Sequence, residues 1–213
     1  MSVCKCPAGT AIVSVPNASC PQDFGQIQKL IFQRVFSTGT TKNSMTLANA
    51  AVKANWTTLF ASTTGTKTVI TPYVEAPTPD GGDAITYGGG NDTVGGRTII
   101  IGRNPVTMSF ALRQVVQSIP AALKELQCEQ ALGVYLINGE GQIMGLTDNE
   151  TTPNFYPIPI DAFFVGDLKL NGLETPDENG LSFAFKPNWS DNAVIVTPSD
   201  FNPLTDLANA VSE

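Results

Sequence analysis

The chain has 213 residues, of which 42 % are hydrophobic and 15 % are charged, and its net charge is −7. Average soluble domains carry about 25 % charged residues, so this composition favours a protein that hides much of its surface against partners. The net negative charge disfavours a protein that binds the phosphate backbone of nucleic acids. No apolar run reaches the roughly 20 residues of a membrane-spanning helix.

The chain contains no histidine. This excludes Ser-His-Asp and Cys-His nucleophile systems, histidine general bases and histidine metal triads. An enzyme built on carboxylates stays possible, and one region holds several acidic residues: Asp161, Asp167, Glu174 and Asp177. None of them lies in a motif that distinguishes it from a solvated loop. The sequence therefore predicts a protein with no catalytic residue, no cofactor and no enzymatic activity.

Residues 1–26 are predicted to form an arm, because three prolines and two glycines interrupt any helical or strand period. An arm of this kind needs a surface to lie on, and a neighbouring copy of the chain is the favoured one. Its candidate assembly contacts are Cys4, Cys6, Cys20 and Phe24. A zinc site is disfavoured because the first cysteine spacing is one residue and a second pair is missing. Reduced thiols packed at contacts are the preferred interpretation.

Residues 27–36 predict the first strand, rich in branched and aromatic side chains. Thr46 is a candidate N-cap for an amphipathic helix that ends near Gly65. Its apolar stripe, which we interpret as facing the core and not a ligand, comprises Ala48, Val52, Trp56, Leu59 and Phe60. Residues 66–75 predict a second strand, and Pro72 indicates an edge or a bulge in it.

Residues 76–97 are predicted to be a projecting loop or loose hairpin that reaches a neighbour, with Tyr87 and Asp92 as candidate contacts. Two more specific interpretations of this segment, a phosphate-binding loop and a calcium-binding turn, are disfavoured. A phosphate-binding loop lacks the Gly-Lys-Ser/Thr ending. A calcium-binding turn is matched by Gly88, Gly90, Asp92 and Val94, but such turns need several stacked copies and the chain has one.

Residues 97–101 predict a short buried strand. A second helix is predicted after Asn104-Pro105, because apolar residues from Leu112 to Leu126 recur at helical spacing. Pro120 kinks this helix or splits it in two, with Ser118 as the candidate cap of the second half. Residues 131–137 and 142–146 predict a β-hairpin, joined by the turn at Asn138-Gly139.

The last third again predicts strands, within residues 155–170, 181–186 and 193–197. Leu181, Phe183 and Phe185 alternate along one predicted face. Trp189 and Phe201 are further candidate contacts, and a short helix is predicted within 203–211. We interpret the chain as one domain: an N-terminal arm (1–26), a core (27–198) and a C-terminal arm (199–213). The fold class is α+β and mostly β. Its core is a β-sandwich or barrel-like sheet with one to three packed helices, a long projecting loop and extended N- and C-terminal arms.

This plan resembles that of tail-tube subunits of tailed bacteriophages. The opening Phe24-Gly-Gln-Ile-Gln-Lys29, and the segment 161–172 followed by 181–189, are similar in style to virion proteins of phages that infect Bacteroidota. The resemblance covers the whole chain in architecture more than in motif. It implies a homo-oligomeric ring that stacks into a tube, contacts with other virion proteins, no membrane, and DNA that passes without specific binding. The implied location is the virion, after synthesis in the host cytoplasm.

Two other classes of function stay open. One is a different virion component, such as a head–tail connector or a capsid decoration protein, because more helices are predicted than the simplest tube subunit has. The other is a carbohydrate-binding or adhesion module that uses exposed aromatic side chains. Its candidates are Tyr73, Tyr87, Trp189 and Phe201.

Overall fold

The computed structural model describes residues 23–148 and 150–210. The structure is mostly β, with 44 % of residues in strands and four short helices. The described residues fall into two compact units. The smaller unit contains Asp23 and residues 82–104, and the larger contains residues 24–81, 105–148 and 150–210.

Fifteen strands run through the described residues, most of them short. In chain order they are β1 (Ile27–Arg34), β2 (Phe36–Thr38), β3 (Thr41–Lys42), β4 (Met45–Thr46), β5 (Thr68–Ile70), β6 (Glu75–Gly81), β7 (Ala84–Gly88), β8 (Thr98–Arg103), β9 (Val106–Arg113), β10 (Leu132–Asn138), β11 (Ile143–Thr147), β12 (Asn154–Tyr156), β13 (Ile158–Lys169), β14 (Glu178–Phe185) and β15 (Ala193–Val196). The helices are α1 (Leu47–Ala50), α2 (Lys53–Ala61), α3 (Ser118–Glu125) and α4 (Pro203–Asp206).

The larger unit is built on one antiparallel sheet of eleven strands that curls into a half-barrel. The strand order is β4-β12-β11-β10-β13-β14-β9-β6, while β1 pairs with β10 and β5, and β15 pairs with β11. The predicted mostly-β class with a barrel-like sheet is confirmed. The described part of the chain contains four short helices, where one to three were predicted.

Strand β10 lies at the centre of this sheet, and all seven of its residues are buried. Leu132, Val134 and Leu136 pack into one hydrophobic cluster, and Tyr135 and Ile137 pack into a second cluster. Side chains alternate between the two faces of a strand, so both faces of β10 are covered. This explains why its sequence is a nearly unbroken apolar run.

The first cluster is organised by β14, whose predicted alternation is confirmed. Its residues alternate between half-buried and buried, and Leu181, Phe183 and Phe185 are each 1 % exposed. The ring of Phe183 lies 5.2 Å from that of Phe185 and 5.6 Å from that of Phe110 on β9. Such aromatic contacts add to the hydrophobic gain from burial.

The second cluster lies beneath α1 and α2. Thr46 is confirmed as an N-cap, because its hydroxyl accepts a hydrogen bond from the N–H of Asn49 at 3.2 Å. The predicted single helix is divided after Ala50, and α2 begins where the N–H of Lys53 donates to the carboxylate of Asp200 at 2.9 Å. The buried Trp56 meets the ring of Tyr135 edge-on at 5.2 Å. The stripe was thus correctly predicted to face the core at Trp56 and Phe60.

The second predicted helix is wrong over its first half, where the chain forms β9. Met108, Phe110 and Leu112 are buried on one face, and β9 pairs along its whole length with β14. A period of two therefore describes this segment, although Leu112 also fits a helical spacing with the residues that follow. The second half is helix α3, but the cap predicted at Ser118 is wrong: Ser118 is the first helical residue, and the N-cap residue is Gln117, whose side chain makes no capping hydrogen bond. Pro120 is the third residue of α3, where no intrahelical hydrogen bond is lost.

Residues 76–97, predicted to be a projecting loop or loose hairpin, contain strands. Their first part belongs to β6, which pairs with β9 at the end of the sheet order. Pro77 and Pro79 lie in β6 and supply no backbone N–H. Proline on an outer strand hinders the pairing of a further strand, so this edge of the sheet is poorly suited to extension.

The C-terminal segment packs on the larger unit as far as the description reaches. Leu207 is 4 % exposed within the second cluster. The side chain of Asn209 accepts from the N–H of Ile70 and donates to the carbonyl of Ile70, both at 2.8 Å. This segment therefore covers the edge of β5, where an extended arm was expected.

Candidate functional site

The candidate site is the hairpin of residues 82–104, which forms the described part of the smaller unit apart from Asp23. Strands β7 and β8 pair antiparallel from Ala84 opposite Arg103 to Gly88 opposite Thr98. They pair with no other described strand. A two-stranded hairpin is marginally stable alone in water, so this hairpin gains from any additional surface that covers it.

The connection between the two strands depends on glycine. Gly88 has a φ of +86°, and a Cβ at this position would lie 2.1 Å from the Thr93 side chain. The Thr93 hydroxyl accepts a hydrogen bond from the N–H of Gly89 at 3.2 Å and donates to the carbonyl of Arg97 at 2.5 Å. The glycine-rich connection is thus an ordered turn held by Thr93.

The hairpin exposes large apolar side chains on both of its faces. Tyr87 lies opposite Ile99, and Ile85 shares their face because residues two apart on a strand point the same way. Ile100 lies opposite Thr86 on the other face, and Ile101 is the extra residue of a bulge. Their exposed fractions range from 40 % for Ile85 to 65 % for Ile100. Contiguous exposed apolar surface marks interaction sites.

The burial predicted for residues 97–101 is wrong: Ile99, Ile100 and Ile101 are each at least half exposed. The residue pattern itself, a run of β-branched side chains, does form the predicted strand. An apolar run indicates that a strand can be covered, but not whether its own chain or another molecule covers it.

Two of the sequence-predicted contacts lie on this hairpin. Tyr87 is 57 % exposed in β7. Asp92 is exposed in the connection, where its N–H donates to the carbonyl of Gly89 at 3.1 Å. Among the residues that the structure describes, no group of three histidine, cysteine, aspartate or glutamate side chains is placed to hold a metal ion.

The other predicted contacts are dispersed. Phe24, Trp189 and Phe201 are half-buried and pack against the hydrophobic clusters of the larger unit. Trp189 stacks on Phe185 with ring centroids 4.3 Å apart. Cys4, Cys6 and Cys20 lie outside the described residues. The structure therefore brings Tyr87 and Asp92 together in one hairpin, and it places the three aromatic side chains elsewhere, on their own core.

Three of the four acidic residues considered for catalysis make local contacts, and Glu174 is exposed. Asp167 accepts from Lys124, and Asp161 lies 3.7 Å from the Lys186 ammonium. Asp177 accepts from the N–H of Asn171 at 2.9 Å and lines a groove of about 390 Å³ whose other lining residues carry no carboxylate.

Sequence reasoning did not nominate Ile85, Ile99 and Ile100, which are central to the hairpin surface, or the charged residues Asp83, Arg97 and Arg103. A signal was present, because Ala84-Ile-Thr-Tyr alternates and Thr98 to Ile101 is strongly β-branched. Two strand patterns separated by a glycine-rich stretch predict a hairpin. Residues in the larger unit that escaped notice include Asp148 and Asn209, each of which fixes a loop or strand edge through its side chain.

Two further observations bear on the class of protein. No helix in the described part of the chain is long and apolar enough to cross a membrane. Comparison of the chain with protein-family models gives no match, and the search of curated proteins gives none either.

Proposed function

We propose that this chain is a non-enzymatic virion structural protein that assembles with copies of itself into rings or a tube. Its most specific form is the tail tube of a tailed bacteriophage, through which DNA passes. A head–tail connector or a capsid decoration protein is the alternative within the same class. The proposal rests on the hairpin of residues 82–104, with support from the charge of the chain and from the main sheet.

The apolar hairpin is the observation that carries the proposal. Tyr87, Ile99, Ile100 and Ile101 are each more than half exposed on a structure that two strands alone stabilise poorly. Specific interfaces bury about 800 Å² on each partner. A few side chains of this size supply a large part of that area, and their burial against another copy provides a hydrophobic driving force.

The charge of the chain fits a conduit for DNA. The net charge of −7 opposes binding to phosphate backbones. A curled antiparallel sheet is also a shape that can form part of the wall of such a conduit. The outer strand β6 carries Pro77 and Pro79, so extension through this strand is disfavoured and the hairpin is the better joint.

Electron microscopy of the purified chain, together with size-exclusion chromatography, tests this proposal. We expect rings or tubes from the wild-type protein, and dispersed monomers from the double variant Ile99→Ser/Ile100→Ser with an unchanged far-UV circular dichroism spectrum. The matched control is Val116→Ser/Leu173→Ser, which removes two exposed aliphatic side chains from the larger unit. A wild-type chain that stays monomeric at every concentration would contradict the proposal, and equal loss of assembly in the control would remove the hairpin from it.

The carbohydrate-binding alternative is not favoured by a specific observation. Sugar rings stack on a free aromatic face, whereas the indole of Trp189 stacks on Phe185 at 4.3 Å. The ammonium of Lys29 lies over the ring of Tyr73, 4.6 Å from the ring centroid. Both aromatic groups are thus already in contact with their own chain.

A further inference from the structure

We propose that two copies of the chain join through the outer edge of β7, whose five residues pair antiparallel with the same five residues of the other copy. The inference rests on the proposed self-assembly and names one of its contacts. A contact between two identical surfaces has two-fold symmetry and closes on itself. It therefore joins copies in twos, and rings need a second contact, which the N-terminal arm is predicted to supply.

Strand β7 is the more open edge of the hairpin. Residues Ala84–Gly88 contain no proline and no charged side chain, and β7 pairs only with β8 among the described strands. Strand β8 carries the bulge at Ile101, which interrupts the regular spacing of its backbone groups. Charged residues, prolines and bulges protect an outer strand from pairing with another chain. Because β7 has none of these, its edge is the one suited to a further strand.

The sequence of β7 complements itself in one antiparallel register. With Thr86 at the two-fold axis, Thr86 lies opposite Thr86 of the other copy, Ile85 opposite Tyr87, and Ala84 opposite Gly88. Threonine opposite threonine and an aromatic side chain opposite a β-branched one are favourable cross-strand pairs. If the axis moves to Ile85 or to Tyr87, only three residues of β7 pair with one another. The register centred on Thr86 is therefore the one that uses the whole strand.

Pairing of the two hairpins gives one sheet of four strands. On one of its faces, Ile99 and Tyr87 of each copy are followed across the joint by Ile85 of the other copy. A two-stranded hairpin is marginally stable in water, whereas three or more strands with a hydrophobic face can be stable by themselves. Each copy therefore stabilises the hairpin of the other, and the apolar face of the hairpin becomes continuous across the joint.

The charge of the chain also favours a contact at this edge. Copies that each carry a net charge of −7 repel one another. Residues 84–91 contain no charged side chain, and Asp83 would lie opposite Gly89 of the other copy. Like charges directly opposite each other destabilise a strand pair, and within the paired strands no such charges meet. A second copy of the chain is thus accepted at β7 although the chain as a whole is acidic.

Charges introduced at the two-fold axis test this pairing. Thr86 is exposed and would lie opposite its own equivalent, so Thr86→Lys and Thr86→Glu each place two like charges face to face. Sedimentation velocity, at concentrations below those that give rings, measures the dissociation constant of the dimer. We expect each variant to raise this constant by about fivefold or more, because a favourable pair is replaced by a repulsive one. An equimolar mixture of the two variants is expected to dimerise at least as tightly as the wild type, because lysine then faces glutamate.

The matched controls are Thr98→Lys and Thr98→Glu, which make the same changes of charge at an exposed threonine of β8. Both are expected to dimerise like the wild type. Recovery in the mixture shows that both Thr86 variants are folded. It also excludes the arm of the same chain, or a strand of another protein, as the occupant of the edge, because mixing two variants would then change nothing.

The outcomes separate this inference from the proposed function. The β7 pairing is overturned if the wild type forms no dimer, if both Thr86 variants dimerise like the wild type, or if the mixture dimerises no better than its components. Rings or tubes of the wild type would leave the proposed function standing in each of these cases. A dimer that is weakened in both variants and restored in the mixture, without rings or tubes at any concentration, would support the pairing and contradict the proposed function.

Discussion

At the scale of single residues, Asp148 closes the loop between β11 and β12. Its carboxylate accepts hydrogen bonds from the Tyr156 hydroxyl at 2.5 Å and from the backbone and side-chain N–H groups of Asn154 at 2.9 and 2.8 Å. These donors stabilise the ionised form, chiefly the Tyr156 hydroxyl, and lower the pKa of Asp148 from 3.8 to about 2.

Because the folded-state pKa is depressed, Asp148 contributes stability above about pH 4 and loses it as the pH falls toward about 2. We expect Tyr156→Phe to bring the pKa of Asp148 back toward its ordinary value, so that the free energy of unfolding depends less on pH within this window. Urea unfolding of wild type and variant between pH 2 and 7 measures the difference. Partners also lower the pKa of Asp167, Asp206 and Glu129, so both proteins retain other acid-sensitive groups. Parallel pH profiles for the two proteins would contradict the assigned role.

The side-chain amide of Asn209 forms hydrogen bonds with the edge of β5, as the backbone of a neighbouring strand would. This amide pairs with both the N–H and the carbonyl of Ile70. We expect Asn209→Ala to lower the free energy of unfolding by about 1–3 kcal/mol, since two hydrogen bonds are lost. Chemical denaturation measures this, with Asn91→Ala on the exposed hairpin connection as the control. Equal stability of the two variants would show that the amide pairing adds nothing.

At the scale of the element, β14 shows how a strand stabilises the half-barrel. Phe183 is 1 % exposed and its ring contacts those of Phe32, Phe110 and Phe185. We expect Phe183→Ala to cost about 3–5 kcal/mol of unfolding free energy, because it removes buried surface and leaves a cavity. Thermal and urea unfolding measure the loss. Phe164→Ala on the neighbouring β13, where the side chain is 58 % exposed, is the matched control and should cost much less.

Elements also show why some predictions failed. In residues 106–113, Leu112 fits a helical spacing with the residues that follow it, whereas Met108 and Phe110 fit the alternation of a strand. Only the pairing of this segment with β14 and β6 decides that it is a strand. In the hairpin, Ile99 to Ile101 predict a strand correctly and burial wrongly. A strand pattern indicates the local backbone preference and the apolar content of a segment. Whether that segment is buried depends on which distant residues, or which other molecule, pack against it.

At the scale of the whole molecule, the proposed assembly makes a prediction for the N-terminus. Deletion of residues 1–20, which removes Cys4, Cys6 and Cys20, is expected to abolish ring or tube formation and leave a folded protein, because the arm is predicted to contact a neighbouring copy. Size-exclusion chromatography and circular dichroism measure both outcomes. If the truncated chain polymerises as readily as the full chain, the arm has no part in assembly.

The sequence by itself determined the mostly-β class, the N-cap at Thr46, the β10–β11 hairpin and the inward face of β14. Each follows from local information: a side-chain hydrogen bond, a turn dipeptide or an alternation of period two. Only the tertiary structure decided that 106–113 is a strand, that the C-terminal segment lies on its own sheet through Asn209, and that the isoleucines of β8 are exposed. These three features depend on contacts between residues far apart in the chain, and local periodicity carries no information about such contacts.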